Sequence, residues 1–235
     1  MIRNEATFNG KSLSDFNAYV ANSNFLDGAA KDYNSTEIPG RSGNLQINNG
    51  RFKNLSLKVQ LYIVGDLVNN MDGLRNYLES CDGYCRYTET LRPGQFRMGV
   101  FRDVFAPGDT DPHGGEVTVT FDCKPQRYLT SGENAVDCTS AASLTNPTRF
   151  PSAPLIRLYG TGTLNINDMY ITVAAHPYEY IDIDCDLMDA RHGLTNCNSY
   201  VTFSTSDYIT LSPGTNGIDN DGFTTVEITP RWYEI

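Results

Sequence analysis

Metal binding is the first chemistry that the titratable residues of this sequence suggest. His176 and His192 flank the run HPYEYIDIDCDLMDARH, which also carries a cysteine and several aspartates. Imidazole, thiolate and carboxylate groups are all metal ligands. In this run, however, apolar residues alternate with Asp182 and Asp184, which indicates a half-buried strand whose acids face water. We therefore predict no metal site here.

Two acidic segments resemble parts of a calcium-binding loop, namely residues 219–222 (DNDG) and residues 109–111 (DTD). A complete calcium loop needs further oxygen ligands and a bidentate glutamate at fixed offsets, and neither segment supplies them. Asp-Gly is also a common hairpin turn, because its residues accept positive φ. The sequence predicts a turn at the first segment and a calcium site at neither.

Nucleophilic catalysis has no recognisable motif in this chain. There is no G-x-S-x-G nucleophile elbow, and no cysteine lies beside a histidine in a suggestive context. The chain has many carboxylates, but the sequence does not show which of them lie close together. A glycoside hydrolase therefore stays an alternative. With no catalytic, metal-binding or cofactor-binding residue to assign, we predict that the protein is not an enzyme and has no cofactor.

One arginine, Arg41, lies in the turn-rich segment IPGRSGNL. Its G-x-x-G core has the form of the loop that grips the nucleic-acid backbone in KH modules, but that loop joins two helices. The net charge of −10 also argues against a grip on phosphate. Pro39 fixes φ and Gly40 and Gly43 permit tight geometry, so we predict a structural turn that leads into a strand starting near Phe52.

The composition predicts a folded β protein. The 235 residues suffice for one large or two ordinary domains, and 20 glycines and 14 tyrosines indicate short strands with many turns. No window reaches the roughly 18 apolar residues of a membrane span, and the start MIRNEATFNGKSL lacks the apolar region of a secretory signal. The six cysteines form no C-x-x-C pair, so we expect free thiols made in a reducing cytoplasm.

Charge divides the chain into two halves. Up to residue 130 there are 14 Lys and Arg against 15 Asp and Glu, whereas from residue 131 onward there are 4 against 13. The segment SGENAVDCTSAASLTNPTRFPSAP near this change has no periodicity and reads as a connector. We predict one domain over residues 1–132 and a second over residues 133–235.

Periodicity predicts the elements of both halves. NLSLKVQLYI alternates apolar and polar residues and is a half-buried strand. One helix is predicted at about 66–80, with Asp66 as its N-cap. The polar segment at residues 102–116 is predicted to be an extended loop with an external function, since loops this long are usually functional. Beyond residue 150, six short strands at about ten-residue spacing predict a β-sandwich.

Several segments, in this order, resemble the distal tail proteins of long non-contractile-tailed phages and prophages of Gram-positive hosts. In the first half they are FNGKSLSDFNAYV, IPGRSGNL with the strand after it, the single helix, and VTFDCKPQRYL. In the second half they are TNPTRFPSAPLIRLYGTGTLNIN, IDIDCDLMDA, LSPGTNGI and ITPRWYEI. The resemblance covers nearly the whole chain.

The resemblance implies a mainly β fold, in which an N-terminal β-barrel or sandwich-like domain with one α-helix precedes a C-terminal galectin-like β-sandwich. It also implies a structural virion protein at the phage tail tip, or baseplate, assembled in the host cytoplasm. Such proteins form a homohexameric ring, possibly stacked as a dodecamer, which joins tail tube protein, tape-measure protein and tail-associated adhesion protein. The resemblance implies no membrane partner and no sequence-specific binding of nucleic acid. It does imply that DNA can pass through the ring, and an acidic chain suits that passage because it repels phosphate.

In this family a long hairpin or loop of the first domain reaches the neighbouring subunit, and residues 102–116 are the matching segment. An apolar Phe on a protruding loop is best explained by burial against a neighbour, and an exposed arginine on a rigid turn pairs well with carboxylates. The predicted intersubunit contacts are Arg41, Val104, Phe105, Asp109, Asp111 and His113.

The alternative function is a carbohydrate-binding module without catalysis, directed at host cell-wall glycans. It is motivated by the galectin-like second half and by Trp232 with the many tyrosines, because sugar sites stack rings on aromatic side chains. Trp232 lies close to the end of the sequence, however, and we predict that it packs in the core.

Overall fold

The computed structural model describes residues 4–102, 105–111, 114–140, 143–205 and 208–235. The chain forms two compact units, Met1–Arg127 together with Ile235, and Tyr128–Glu234. The predicted division after residue 132 lies a few residues beyond this one. The described residues are mainly β with one α-helix, which confirms the predicted fold class. Within the same residues, no helix has the length and apolar character needed to cross a membrane.

The N-terminal unit is built around one large antiparallel sheet and one helix. Its sheet order is β2-β1-β7-β8-β10-β6-β3, with β9 beside the first part of β10, while β4 and β5 form a separate two-stranded sheet. The elements are β1 (Ala6–Phe8), β2 (Lys11–Ser12), β3 (Ala18–Ser23), β4 (Lys31–Thr36), β5 (Leu45–Phe52), β6 (Leu55–Val64), α1 (Leu67–Glu79), β7 (Cys85–Glu89), β8 (Gln95–Phe101), β9 (Ala106–Asp111) and β10 (Gly114–Leu129).

The predicted strand and helix lie next to each other in this unit. The apolar residues of β6 are buried, and they meet those of β10 in register, as at Leu61 opposite Val117. Helix α1 begins after Asp66, whose side chain accepts a hydrogen bond from the Asn69 N–H. Its apolar stripe covers the sheet, and the buried members are Met71, Leu74 and Leu78.

The predicted loop at residues 102–116 is wrong in its secondary structure. Residues 106–111 form β9, which pairs with β10 through Ala106 opposite Thr118 and Asp111 opposite Gly114. Gly115 explains how a polar, glycine-rich run enters the sheet, since a Cβ there would crowd Met71 of the helix at 3.1 Å. Gly115 therefore lets α1 approach the strand, which composition alone does not reveal.

The C-terminal unit contains two antiparallel sheets, ordered β11-β21-β13-β16-β17-β18 and β12-β20-β14-β15-β19. Apolar residues from both sheets form its core. The strands are β11 (Val136–Asp137), β12 (Ser143–Asn146), β13 (Leu155–Tyr159), β14 (Gly162–Ile166), β15 (Met169–Val173), β16 (Tyr180–Asp184), β17 (Asp189–His192), β18 (Thr195–Asn196), β19 (Val201–Phe203), β20 (Gly214–Asp221), β21 (Thr225–Thr229) and β22 (Tyr233–Glu234).

Two of these strands correct the sequence analysis. The predicted connector contains β11 and β12, which pair with β21 and β20 respectively. They were missed because each is too short to show a period. Of the turn predicted at residues 219–222, only Gly222 lies in a turn, with a φ of +103°, because residues 219–221 end strand β20.

The aspartates of β16 do not face water, contrary to the prediction. Asp182 lies directly opposite Arg157 of β13 and accepts two hydrogen bonds from it, at 2.7 and 3.0 Å. Asp184 is 2% exposed and accepts two from Arg231, at 2.7 and 2.8 Å. Each acid is thus buried under a bidentate arginine, which sequence alternation cannot show because the arginines lie far away in the chain.

Acid should weaken the C-terminal unit through Asp184. Burial raises the pKa of this carboxyl group, but the hydrogen bond from Arg231, the Leu187 N–H and the arginine charge together hold its pKa below the ordinary 3.8. A lowered pKa stabilises the native state above the unfolded-state pKa, and this stabilisation is lost as the pH falls through the folded-state pKa. We expect the Tm to begin falling near pH 3.8 and to fall further below it.

Thermal melts at a series of pH values measure this effect. Asp184→Asn, which has no carboxyl group to protonate, should show a lower Tm at neutral pH and a shallower decline in acid. An acid profile of the variant as steep as that of the unchanged chain would contradict the assignment.

Candidate assembly interface

The two-stranded sheet formed by β4 and β5 is the most exposed part of the N-terminal unit, and we call residues 31–52 the ribbon. Its strands pair from Thr36 opposite Leu45 to Lys31 opposite Phe52, with a bulge near the base. Nearly every residue of both strands is exposed. The ribbon therefore contributes little to the core of its own unit and presents its surface to something else.

Apolar side chains lie on this exposed surface. Leu45 and Ile47, which point to the same face of β5, are 41% and 50% exposed. Tyr33 of β4 and Ile38 of the turn are also exposed large hydrophobic residues. An isolated two-stranded hairpin is at best marginally stable in water, and clustered exposed apolar residues mark interaction sites. The ribbon has the character of a binding surface.

An ion pair between a buried aspartate and two exposed cations holds the base of the ribbon. Asp32, in β4, is buried and accepts a hydrogen bond from the Arg51 Nε atom at 2.8 Å, while the Lys53 ammonium lies 3.5 Å away. The hydrogen bond from Arg51 is the main reason that the pKa of Asp32 lies below its ordinary value. Because Arg51 is in β5, this contact ties the two strands together where the ribbon leaves the unit.

The segment IPGRSGNL forms the tip of the ribbon, between β4 and β5. Gly40 and Gly43 have φ values of +78° and +84°, and the Arg41 N–H donates to the Ile38 carbonyl at 3.1 Å. The predicted structural turn is confirmed, but it does not lead into a strand near Phe52. It leads into β5, which starts at Leu45 and ends at Phe52.

Comparison with known proteins shows which solved fold this chain shares. No protein-family model and no curated protein matches the sequence. Among solved structures, the SPP1 Dit protein matches at 16% identity with a TM-score of 0.73, over 99% of each chain. The chain has the fold of SPP1 Dit. That protein is described as a paradigm of the hub adsorption apparatus in phages that infect Gram-positive bacteria.

The predicted contact residues fall at different places in this Dit-like fold. Arg41 is exposed at the tip of the ribbon, and Asp109 is exposed on β9. Asp111 ends β9. Val104 and His113 lie outside the described residues. Asp109 and Asp111 thus share strand β9, Arg41 lies on the separate ribbon, and the roles of these residues in contacts between subunits stay predictions.

Phe105 corrects one premise of the sequence analysis. It is half-buried and packs against the apolar core of its own N-terminal unit. The expectation of an exposed Phe on a protruding loop is therefore wrong: Phe105 directly precedes β9, and its side chain packs on the core. The ribbon was missed instead, since NLQINNGRF alternates too weakly to predict a strand.

The histidines once considered as metal ligands are engaged by the backbone and by aromatic rings. His176 Nε2 lies 3.0 Å from the Gly160 carbonyl, and His192 Nδ1 lies 3.0 Å from the Tyr180 carbonyl. The Tyr178 ring stacks between the two imidazoles. In the part of the chain that the structure describes, no three His, Cys, Asp or Glu side chains are grouped to hold a metal ion.

Trp232 is buried in the core of the C-terminal unit, as the sequence analysis predicted. Its neighbour across the chain is Gly132, where a Cβ would overlap the Trp232 backbone. The Trp232 carbonyl also accepts a hydrogen bond from the Leu129 N–H at 2.8 Å. A side chain packed in this way cannot stack on a sugar, which removes Trp232, but not the tyrosines, from the grounds for the carbohydrate-binding alternative.

Proposed function

We propose that this protein is a structural component of a phage tail tip, a distal tail protein whose copies assemble into a ring hub. The observation that carries the proposal is the exposed, apolar ribbon on a chain with the fold of a phage hub protein. The resemblance of the sequence to distal tail proteins supports it independently. The ring is the homohexamer that this resemblance implies, alone or stacked as a dodecamer.

The ribbon suits a ring because it makes the two sides of a subunit different. A protruding arm on one side must dock on a different surface of the next copy, which is a heterologous contact. Heterologous contacts close into rings when the rotation between copies divides a full turn. The face of β5 that carries Leu45 and Ile47 would then be buried against the next subunit at every contact in the ring.

The partners in this proposal are the tail tube protein, the tape-measure protein and the tail-associated adhesion protein, in the virion. Assembly takes place in the host cytoplasm, and the role needs neither catalysis nor a cofactor. The net charge of −10 fits a hub through which DNA moves, because acidic surfaces repel phosphate.

The mass of the purified chain in solution tests the proposal. Mass photometry or multi-angle light scattering should show six copies of the 26.1 kDa chain, or twelve where two rings stack. The assembled fraction should rise with protein concentration, because association follows mass action. A chain that stays monomeric across the micromolar range, alone and with its tail tube protein, would contradict ring formation.

A further inference from the structure

An open cleft of about 230 Å³ lies beside the sheet of the N-terminal unit. The end of β3 and the loop that follows it form one wall, and the chain from Glu89 to Arg92 forms the other. The loop is held in place by Arg97, which is fully buried and donates to the Phe25 and Asp27 carbonyls at 2.8 and 2.6 Å. The cleft is therefore a rigid feature of the fold.

Glu89 places a buried carboxyl group in this cleft. It is 5% exposed, and its two oxygens accept hydrogen bonds from the Tyr87 hydroxyl at 2.8 Å and from Asn4 Nδ2 at 3.2 Å. Both donors are neutral. No cationic side chain among the described residues forms an ion pair with Glu89, and Arg92, which lines the same cleft, donates to the Leu91 carbonyl instead.

Such a site lacks a cation. A buried carboxylate is costly unless a positive group pairs with it, and the cleft leaves space for one. Two leucines stand at its mouth, Leu26 and Leu91, which are 48% and 57% exposed. A ligand with a charged end and an apolar stem fits this arrangement, and an arginine side chain has both.

Arg41 supplies that chemistry from the tip of the ribbon. It is exposed and has no ion pair among the described residues. Ile38 and Leu45, exposed on either side of it in the sequence, match the leucines at the mouth of the cleft. Arginine with apolar flanks on one surface thus complements carboxylate with apolar flanks on the other.

The ribbon cannot bring Arg41 to the cleft of its own chain. The loop that lines the cleft ends at Asp27, a few residues before β4 begins at Lys31, so the cleft lies near the base of the ribbon. The strands of the ribbon carry the tip about 20 Å away from that base, at about 3.3 Å per residue. The cleft that Arg41 reaches belongs to another copy.

We propose that Arg41 of one copy inserts into the Glu89 cleft of the next copy, so that each ring contact contains an arginine–glutamate pair between leucine and isoleucine side chains. This inference rests on the proposed ring and names the recognition site within it. It gives the ring its direction, because the tip and the cleft are different surfaces of one subunit.

A double-mutant cycle on the full-length chain tests the pairing. Arg41→Gln and Glu89→Gln should each weaken subunit association by at least about tenfold, since each leaves a charged partner unpaired. The double variant should be no weaker than the weaker single variant, because the interaction is already lost. Arg75→Gln, on an exposed arginine of helix α1 that pairs with Glu79, is the matched control and should leave association unchanged.

A second measurement does not depend on altering the buried glutamate. The variant with both Ser42→Cys and Arg92→Cys, which keeps Arg41 and Glu89, should form a ladder of covalently linked chains under mild oxidation, and each single substitution should not. Both positions are exposed, so neither change should disturb the fold. If rings form but the losses of association in the double-mutant cycle are additive, this inference is wrong and the proposed ring stands. The same holds if rings form but the cysteine variant gives no ladder. An unchanged chain that never assembles would overturn the proposed ring as well.

Discussion

Changing Leu45 and Ile47 together to serine should abolish the assembled form while the monomer keeps its melting temperature. The two side chains share one face of β5 and are about half exposed. Burying the exposed half of each side chain would add about 1 kcal/mol to the free energy of association at every contact. A closed ring repeats that contact at each subunit, which multiplies the loss. Mass photometry gives the assembled fraction, and a thermal melt gives the stability of the chain.

Val68→Ser is the matched control for this pair. Val68 is 70% exposed on helix α1, away from the ribbon, so its replacement removes exposed apolar surface without touching the proposed contact. It should leave assembly intact. Rings that survive the double substitution in the ribbon, or that are lost equally in the control, would show that exposed apolar area as such, and not the ribbon, decides assembly.

Removing Asp184 should be the most destabilising single charge deletion in the C-terminal unit. Asp184→Ala leaves the Arg231 guanidinium without its bidentate partner and leaves the Asp186 and Leu187 N–H groups without their acceptor. Breaking a buried ion pair from one side costs about 3 to 5 kcal/mol. We expect that loss in the free energy of unfolding of the unit.

The chain has a single tryptophan, Trp232, buried in the core of that unit, so its fluorescence in a urea titration reports on this unfolding transition. Asp186→Ala is the control, since Asp186 is exposed and accepts no side-chain ion pair among the described residues. It should shift the unfolding free energy by less than about 0.5 kcal/mol. A loss below about 1 kcal/mol for Asp184→Ala would contradict the importance of the pair.

Sequence alone was sufficient where one local pattern decided the structure. The alternation of β6 and the helical spacing after Asp66 each correspond to one buried face, and both elements lie where predicted. The overall mainly β fold followed from the spacing of the short strands. These features depend on neighbours in the chain, which a single sequence displays directly.

Contacts between distant parts of the chain were not visible. Asp184 was placed in water because its arginine partner lies 47 residues away. Local pattern predicts a loop at residues 102–116, because nothing local shows that Gly115 accommodates helix α1. Glu89 meets Asn4 across 85 residues, so the cleft has no signature in the sequence.

The polar residues interspersed among the apolar ones of the ribbon, which concealed it from pattern analysis, also bear on how the ribbon avoids pairing with other chains. Each of its two strands has one outer edge with no strand beside it, and such edges readily pair with other chains into fibres. Here the run Asn48-Asn49-Gly50-Arg51, with Gly50 at a φ of +73° and a bulge in the register, interrupts a flat edge. In the proposed assembly, these interruptions would keep free subunits from pairing edge to edge into open-ended aggregates before the ring forms.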